Sequence, residues 1–172
     1  MEPLKDLRDL VGAAARAMSR PEVVIVHEDF STGLAAKQLF DQLFGRFDSG
    51  GKHQFKMWEF SALRLVGPRA QAVREAAQAP IVCLSAHGDN SLLVGVKDWA
   101  ERWARETAAN ACALVVLLGA VDRSPSGNTP MIQFLRHAAT QRGASFLLCS
   151  TDPSDHDTGV CEATTGLCNL SR

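Results

Sequence analysis

Two kinds of apolar pattern alternate along the chain. Val23 to Val26, Ile81 to Leu84 and Ala113 to Leu118 are unbroken apolar runs. Runs of this length, bounded by turn residues, predict strands buried on both faces of a parallel sheet. Between them, apolar residues recur every three or four positions, the spacing of one helix face. Leu4, Leu7, Leu10, Val11, Ala14 and Ala15 form one such stripe, closed by Pro21. It predicts an N-terminal helix packed on the domain, whose apolar stripe also suits dimerisation. Ser31 or Thr32 is placed to cap a second helix running to about Phe44, with Leu34, Ala35, Leu39 and Leu43 on its buried stripe and Gly45 as its C-cap. Phe55 to Phe60 alternates and predicts a strand near a sheet edge. Gly67-Pro68 opens a helix to about Gln78. Val96, Trp99, Ala100 and Trp103 share one face of a helix over about 93–107. Thr129 caps a helix that starts at Pro130 and ends at Gly143, and 145–150 is the last strand.

The order is a helix followed by β-α-β-α-β-α-β-α-β. Right-handed crossovers turn that alternation into a three-layer, doubly wound α/β domain. Five parallel strands favour the flavodoxin-like order 2-1-3-4-5, with an extra N-terminal helix. The expected organisation is one domain over 1–150, helix 1–20 included, and a polar tail over 151–172. That tail is rich in Ser, Thr, Asp and Gly and is expected to be loosely ordered or to extend over the surface. Its Cys161 and Cys168 have no second ligand pair and do not make a metal knuckle.

Composition removes several function classes. With 172 residues the chain can bury a core, and its net charge of −1 gives no electrostatic basis for nucleic-acid binding. No apolar run approaches the ~18 residues of a membrane span. The first residues include Glu2, Asp6 and Asp9 and lack a signal-peptide core. Of five cysteines, Cys83, Cys112 and Cys149 fall in apolar runs. They read as buried thiols, so a reducing, cytoplasmic setting is expected.

Ligands of open parallel sheets bind at the carboxyl ends of the strands, where the strand order reverses. Two loops should meet there. One is His27-Glu28-Asp29-Phe30-Ser31-Thr32-Gly33 and the other Ser85-Ala86-His87-Gly88-Asp89-Asn90. Gly119 and Ser150 follow or end neighbouring strands. Ser31, Thr32, Gly33, Ser85, His87, Gly88 and Gly119 are therefore the candidate ligand-binding residues. Glu28, Asp29 and Asp89 could supply oxygen ligands to a hard cation such as Mg²⁺. The competing explanation is that acidic and hydroxyl side chains here cap helices. No catalytic residue is assigned. Ser85, His87 and Asp89 invite a triad, but Ser85 and His87 lie two apart on one turn and there is no G-x-S-x-G elbow.

Val23-Val24-Ile25-Val26-His27-Glu28-Asp29 resembles the first strand and acidic pair of response-regulator receiver domains. The resemblance covers about 23–150. It implies a phosphoacceptor aspartate at the end of strand 3, where this chain has Ser85. The Ser/Thr position after strand 4 is Gly119, and the lysine position falls on Cys149 or Ser150. The implied protein is a degenerate receiver that cannot take an aspartyl phosphate at that position. A second resemblance is to flavodoxins, through Ser31-Thr32-Gly33 at a helix start and the stretch from Ser85 to Trp99. It implies an FMN phosphate on that helix N-terminus. The chain has no Tyr to stack the flavin, and Trp58 alone is placed to substitute. The expected function is a non-catalytic receiver-like signalling or interaction module. It would bind a protein partner or small ligand at the carboxyl edge. An FMN-binding protein, or an enzyme acting on a small ligand or using a metal, is the alternative.

Overall fold

The computed structural model describes residues 3–47, 53–88, 92–106, 112–119, 129–151 and 161–162. Its elements are α1 (Pro3–Ala17), β1 (Glu22–His27), α2 (Phe30–Phe44), β2 (Gln54–Glu59), a 3₁₀ helix (Phe60–Arg64) and α3 (Val66–Gln78). They continue with β3 (Ile81–Ala86), α4 (Val94–Arg105), β4 (Ala113–Gly119), α5 (Pro130–Arg142), β5 (Ser145–Thr151) and β6 (Cys161–Glu162). One sheet holds the strands in the order β2-β1-β3-β4-β5-β6. The first five are parallel, in the expected order 2-1-3-4-5, and β6 runs antiparallel on β5.

The path of the chain explains the layers. From β1 it steps outward to β2, then returns past β1 to β3 and continues to β4 and β5. Right-handed crossovers taken in opposite directions put their helices on opposite faces. Alternate strand residues therefore serve two cores, which is why the strands read as unbroken apolar runs. Val24, Val26, Val82, Leu84, Val116 and Leu148 pack with α3, α4 and α5, including Trp99 and Trp103. Ile25, Cys83, Val115, Leu117, Leu147 and Cys149 pack with α1 and α2. The N-terminal helix is thus a core element: Leu7 and Val11 are fully buried, and α1 touches α2 and β5.

Several local expectations change. Phe60 does not end β2; it is buried at the start of the 3₁₀ helix, which swings the chain across the sheet end. The buried side of α2 is Ala36, Phe40, Leu43 and Phe44, with Leu34 at 41% exposure. Leu43 of the expected stripe is buried and Leu39 packs partly buried against the core, and the larger aromatic side chains Phe40 and Phe44 complete that side. Gly45 caps α2 in right-handed geometry (φ −58°), whereas Gly143 ends α5 in the left-handed region at φ 76°. Cys149 is not a thiol but is disulfide-bonded, while Cys83 and Cys112 are free and buried. A bonded cysteine removes the argument that drew a reducing compartment from these residues. Among the described residues no helix is long and apolar enough to cross a membrane.

Candidate functional site

At the carboxyl edge, β1 and β3 end side by side, with His27 in register with Ser85. The Glu28 N–H donates to the Ser85 carbonyl at 2.9 Å, so the two loops leave the sheet already joined. Asp29 then turns the chain into α2. Its backbone is extended (φ −149°, ψ −177°), and its carboxylate accepts from the Thr32 N–H at 3.0 Å. The Thr32 hydroxyl in turn accepts from the Asp29 N–H at 3.0 Å. This reciprocal arrangement is a capping box, with Asp29 as N-cap and Thr32 three residues on. Neither Ser31 nor Thr32 is the N-cap. Ser31 instead donates to Asp29 Oδ1 at 2.9 Å. An acidic residue followed three positions later by a hydroxyl was the available signal for this cap.

The second loop closes on the first. His87 Nε2–H donates to Asp29 Oδ2 at 2.6 Å, and the His87 backbone N–H donates to Glu28 Oε2 at 2.8 Å. The buried Ser85 hydroxyl donates to the Thr32 carbonyl at 2.9 Å. His27 Nδ1–H donates to the Asp29 carbonyl at 2.8 Å. Gly33 is required there because a Cβ would lie 2.8 Å from the His27 ring. Gly119 plays a similar part across β4, where a Cβ would lie 3.0 Å from the His87 carbonyl oxygen.

These contacts set the charges. The Thr32 N–H, then His87 and the two hydroxyls, hold the Asp29 carboxyl far below its ordinary 3.8. The Asp29 carboxylate, with Glu28 adding to the local negative field, raises His87 above its ordinary 6.5. An imidazolium–carboxylate pair therefore bridges the two loops in the weakly acidic range.

The candidate residues fall into three groups. Glu28, Asp29, Ser31, Thr32, Ser85 and His87 form one hydrogen-bonded cluster, with Gly33 and Gly119 as its spacers. Gly88 lines an adjacent cleft of about 280 Å³ with Glu28, Ser61, Arg64, Leu92 and Met131. Asp89 lies outside the described residues. Among the described residues no three His, Cys, Asp or Glu side chains are grouped to hold a metal ion. A phosphate at the start of α2 would meet the Asp29 carboxylate already seated on the Thr32 N–H. Trp58 does not face a flavin position freely, since its indole N–H donates to Glu75 Oε2 at 2.7 Å.

The 3₁₀ helix supplies what the sequence pattern missed. It brings Ser61 and Arg64 to the cleft. It also abuts α4, where a Cβ on Gly95 would lie 2.5 Å from the Leu63 carbonyl oxygen. Arg69 and Asp98, 2.7 Å apart, tie α3 to α4 beside it. The apolar residues that open these helices stay uncovered: Leu65 at 63%, Val66 at 67% and Val94 at 83% exposure, with Phe30 at 77% at the start of α2.

No family model matches the sequence, and no curated protein matches it. Among solved structures, the structure of MppP soaked with the product 2-ketoarginine is similar at a TM-score of 0.45 and 14% identity. The similarity covers 87% of this chain and 36% of that one, so this chain spans about a third of that protein's length.

Proposed function

We propose that the protein is a non-catalytic, receiver-like interaction module that binds a protein partner on its carboxyl-edge rim. The observation that carries this reading is the contrast between the edge and its surround. The polar side chains of the edge are engaged with one another, joining the β1 and β3 loops and capping α2. The apolar side chains at the starts of α2, α3 and α4 are exposed. Exposed apolar side chains at the starts of helices beside a rigid polar platform offer a partner surface to bury. Arg64, in the cleft between them, fits a partner segment that carries a carboxylate beside its apolar residues. The absent acceptor at Ser85 supports a role without phosphoryl transfer, and the self-capped α2 weighs against the flavin alternative.

Site-specific photo-crosslinking tests the reading. A photoreactive residue at Val94 or Leu65 should give one discrete protein adduct, and Val66→Asp should abolish it. The same probe at Gln38, on the exposed side of α2, should not give that adduct. Identical adducts from rim and control positions would refute the rim as the contact. Acetyl phosphate should leave no aspartyl adduct, and one mapped to Asp29 would refute the non-phosphorylated role. The cleft itself favours a second reading, a small ligand held between Glu28 and Arg64. Arg64→Ala would then weaken a ligand found by fragment screening without affecting the adduct at Val94.

A further inference from the structure

The sheet has an open side edge. β2 ends the strand order, and among the described residues no strand pairs with its outer side. The Gln54 N–H donates to the Pro21 carbonyl at 2.9 Å, and β2 keeps step with β1 from Gln54 to Glu59 without a bulge. The backbone groups of Gln54, Lys56 and Trp58 therefore face β1, and the alternation of the strand turns those of Phe55, Met57 and Glu59 outward. Natural edge strands are blunted by proline, by bulges, by shortness or by a free lysine. β2 has six residues, no proline and no bulge, and its Lys56 is drawn back to Glu22 at 3.3 Å. Met57, at its middle, is 39% exposed.

The two faces of β2 are fixed by packing. Phe55 packs with the α1–α2 core and carries Lys37 of α2 over its ring at 5.3 Å, whereas Trp58 packs with the α3–α5 core. Successive side chains alternate, so Met57 and Glu59 share the Phe55 face and Lys56 shares the Trp58 face.

A second copy fits this edge. Identical edge strands related by a two-fold axis run antiparallel, and residues opposite each other share a face. Of these registers, the one that sets Met57 opposite its own copy brings all three outward residues to a partner: Met57 meets Met57, and Phe55 meets Glu59 on either side. The exposed thioethers then bury each other on the axis. Glu59 of the second copy, opposite Phe55, comes to the Lys37 ammonium held over that ring, and the symmetry repeats the contact. On the other face Lys56 lies opposite Trp58, a cation beside an indole. The next register toward the start of the strand would instead set Lys56 against Lys56, and like charges directly opposite destabilise a pair. Hydrogen bonding and charge select the same register.

We infer that the protein forms a two-fold dimer through β2, which joins two sheets into one with Met57 on the axis. The inference uses residues that the carboxyl-edge rim does not, and it holds or fails independently of that rim.

Sedimentation equilibrium of the full chain over about 1–200 µM tests it, since a contact this small fits a micromolar Kd. The wild type should approach twice the monomer mass at the upper end, and a monomer throughout would overturn the inference. Met57→Pro removes an N–H that β1 does not use, so it should give a monomer with an unchanged far-UV circular dichroism spectrum. A dimer of undiminished affinity in that variant would overturn the inference and move the contact to another surface, such as the α1 stripe. Met57→Cys reads the register without depending on the proline variant. Its two Cα atoms would lie about 5.5 Å apart, within reach of a disulfide, whereas those of Gln54→Cys would be six strand positions, roughly 20 Å, apart. Copper–phenanthroline in air should cross-link Met57→Cys at least about tenfold faster than Gln54→Cys, with wild type, whose free Cys83 and Cys112 are buried, as the blank. Equal rates would overturn the register. Glu59→Lys should weaken the dimer about tenfold, and adding Lys37→Glu should restore most of that affinity. A double variant as weak as Glu59→Lys alone would refute the Lys37 contact and the register with it.

Discussion

Arg142 gives the sharpest test of how the helices that bear the rim are held. It lies in the last turn of α5 and is 8% exposed. Its guanidinium holds backbone carbonyls from two other helices. Nη1 donates to Trp103 and Glu106 at 2.8 Å each, and Nη2 to Ala77 at 2.8 Å. The plane also sits 5.0 Å over the Trp103 ring. These carbonyls belong to the last turns of α3 and α4, where intrahelical donors run out and the helix dipoles are negative. Arg142→Met keeps an apolar stem and removes every donor. Hydrogen bonds from a charged donor contribute about 1.5–3 kcal/mol each, and relief of the buried ion's desolvation offsets several kcal/mol of the sum. All three carbonyls lose the guanidinium, but that of Trp103 retains the Glu106 N–H at 3.2 Å, so the larger loss falls on those of Ala77 and Glu106. The net loss is about 2–4 kcal/mol. For a chain of this length that is roughly a 5–15 °C fall in Tm. Arg142→Lys should lose about half as much, because an ammonium keeps the charge but not the planar fork. Thermal and urea unfolding followed by circular dichroism, with an unchanged m-value, measure it. A Tm within about 1 °C of wild type for the Met variant would refute the reasoning. So would a Lys variant no better than the Met variant.

Three further outcomes follow from the carboxyl edge. Asp29→Ala should lower Tm by a few degrees and return the His87 pKa toward its ordinary value, read by NMR titration. The carboxylate it removes is a cap and a His87 partner, so relief of repulsion from Glu28 does not dominate. The imidazolium–carboxylate bridge should have a pH window. His87 contributes fully below its ordinary 6.5 and loses that contribution as pH rises through its raised folded value; Asp29 contributes above its ordinary 3.8 and loses it as pH falls toward its lowered one. Amide exchange at His87 should therefore be slowest between about pH 4 and 6.5 after correction for intrinsic rates, and a flat profile would count against the bridge. Gly95→Ala should cost about 1–3 kcal/mol by forcing α4 off the 3₁₀ helix. Gly67→Ala, with nothing within 4 Å of its Cβ, should be neutral or stabilising in the same denaturation assay.

The parallel sheet and its strand order were legible because three of its strands are unbroken apolar runs, and such runs need helices on both faces. Pro130 and Gly143 fixed both ends of α5 by backbone restriction alone. What was not legible depended on contacts between distant segments. The alternation of Phe55 to Phe60 does not tell that Phe60 leaves the strand for a helical turn, and with it went Ser61 and Arg64 of the cleft. Cys149 lies in an apolar run like Cys83, and only the return of the tail as β6 sets it apart. Arg142 looks like an ordinary basic residue in a last helical turn. Its burial depends on carbonyls 36 and 65 residues away in sequence.

The residues singled out at the carboxyl edge raise a sharper point about reading sites from sequence. Acidic, hydroxyl and imidazole side chains gather at strand ends for two reasons that leave the same composition. One is that a reaction or a ligand needs them, and the other is that the starts of helices need acceptors. The two differ in where the lone pairs and protons point. Here Asp29 Oδ1 faces the Thr32 N–H, the Ser85 hydroxyl faces a carbonyl inside the fold, and the His87 ring faces Asp29. A ligand arriving at this cluster would have to break bonds that also start α2 and join β1 to β3. The groups that can change partner without undoing the fold lie beside it, on the 3₁₀ helix and the first turns of α3 and α4. Arg64, Leu65, Val66 and Val94 are exposed there and are held in place by Gly95 and the Arg69–Asp98 pair. At this edge the cluster holds the β1 and β3 loops and the start of α2 together, while the exposed apolar side chains stand beside it on elements fixed by other contacts.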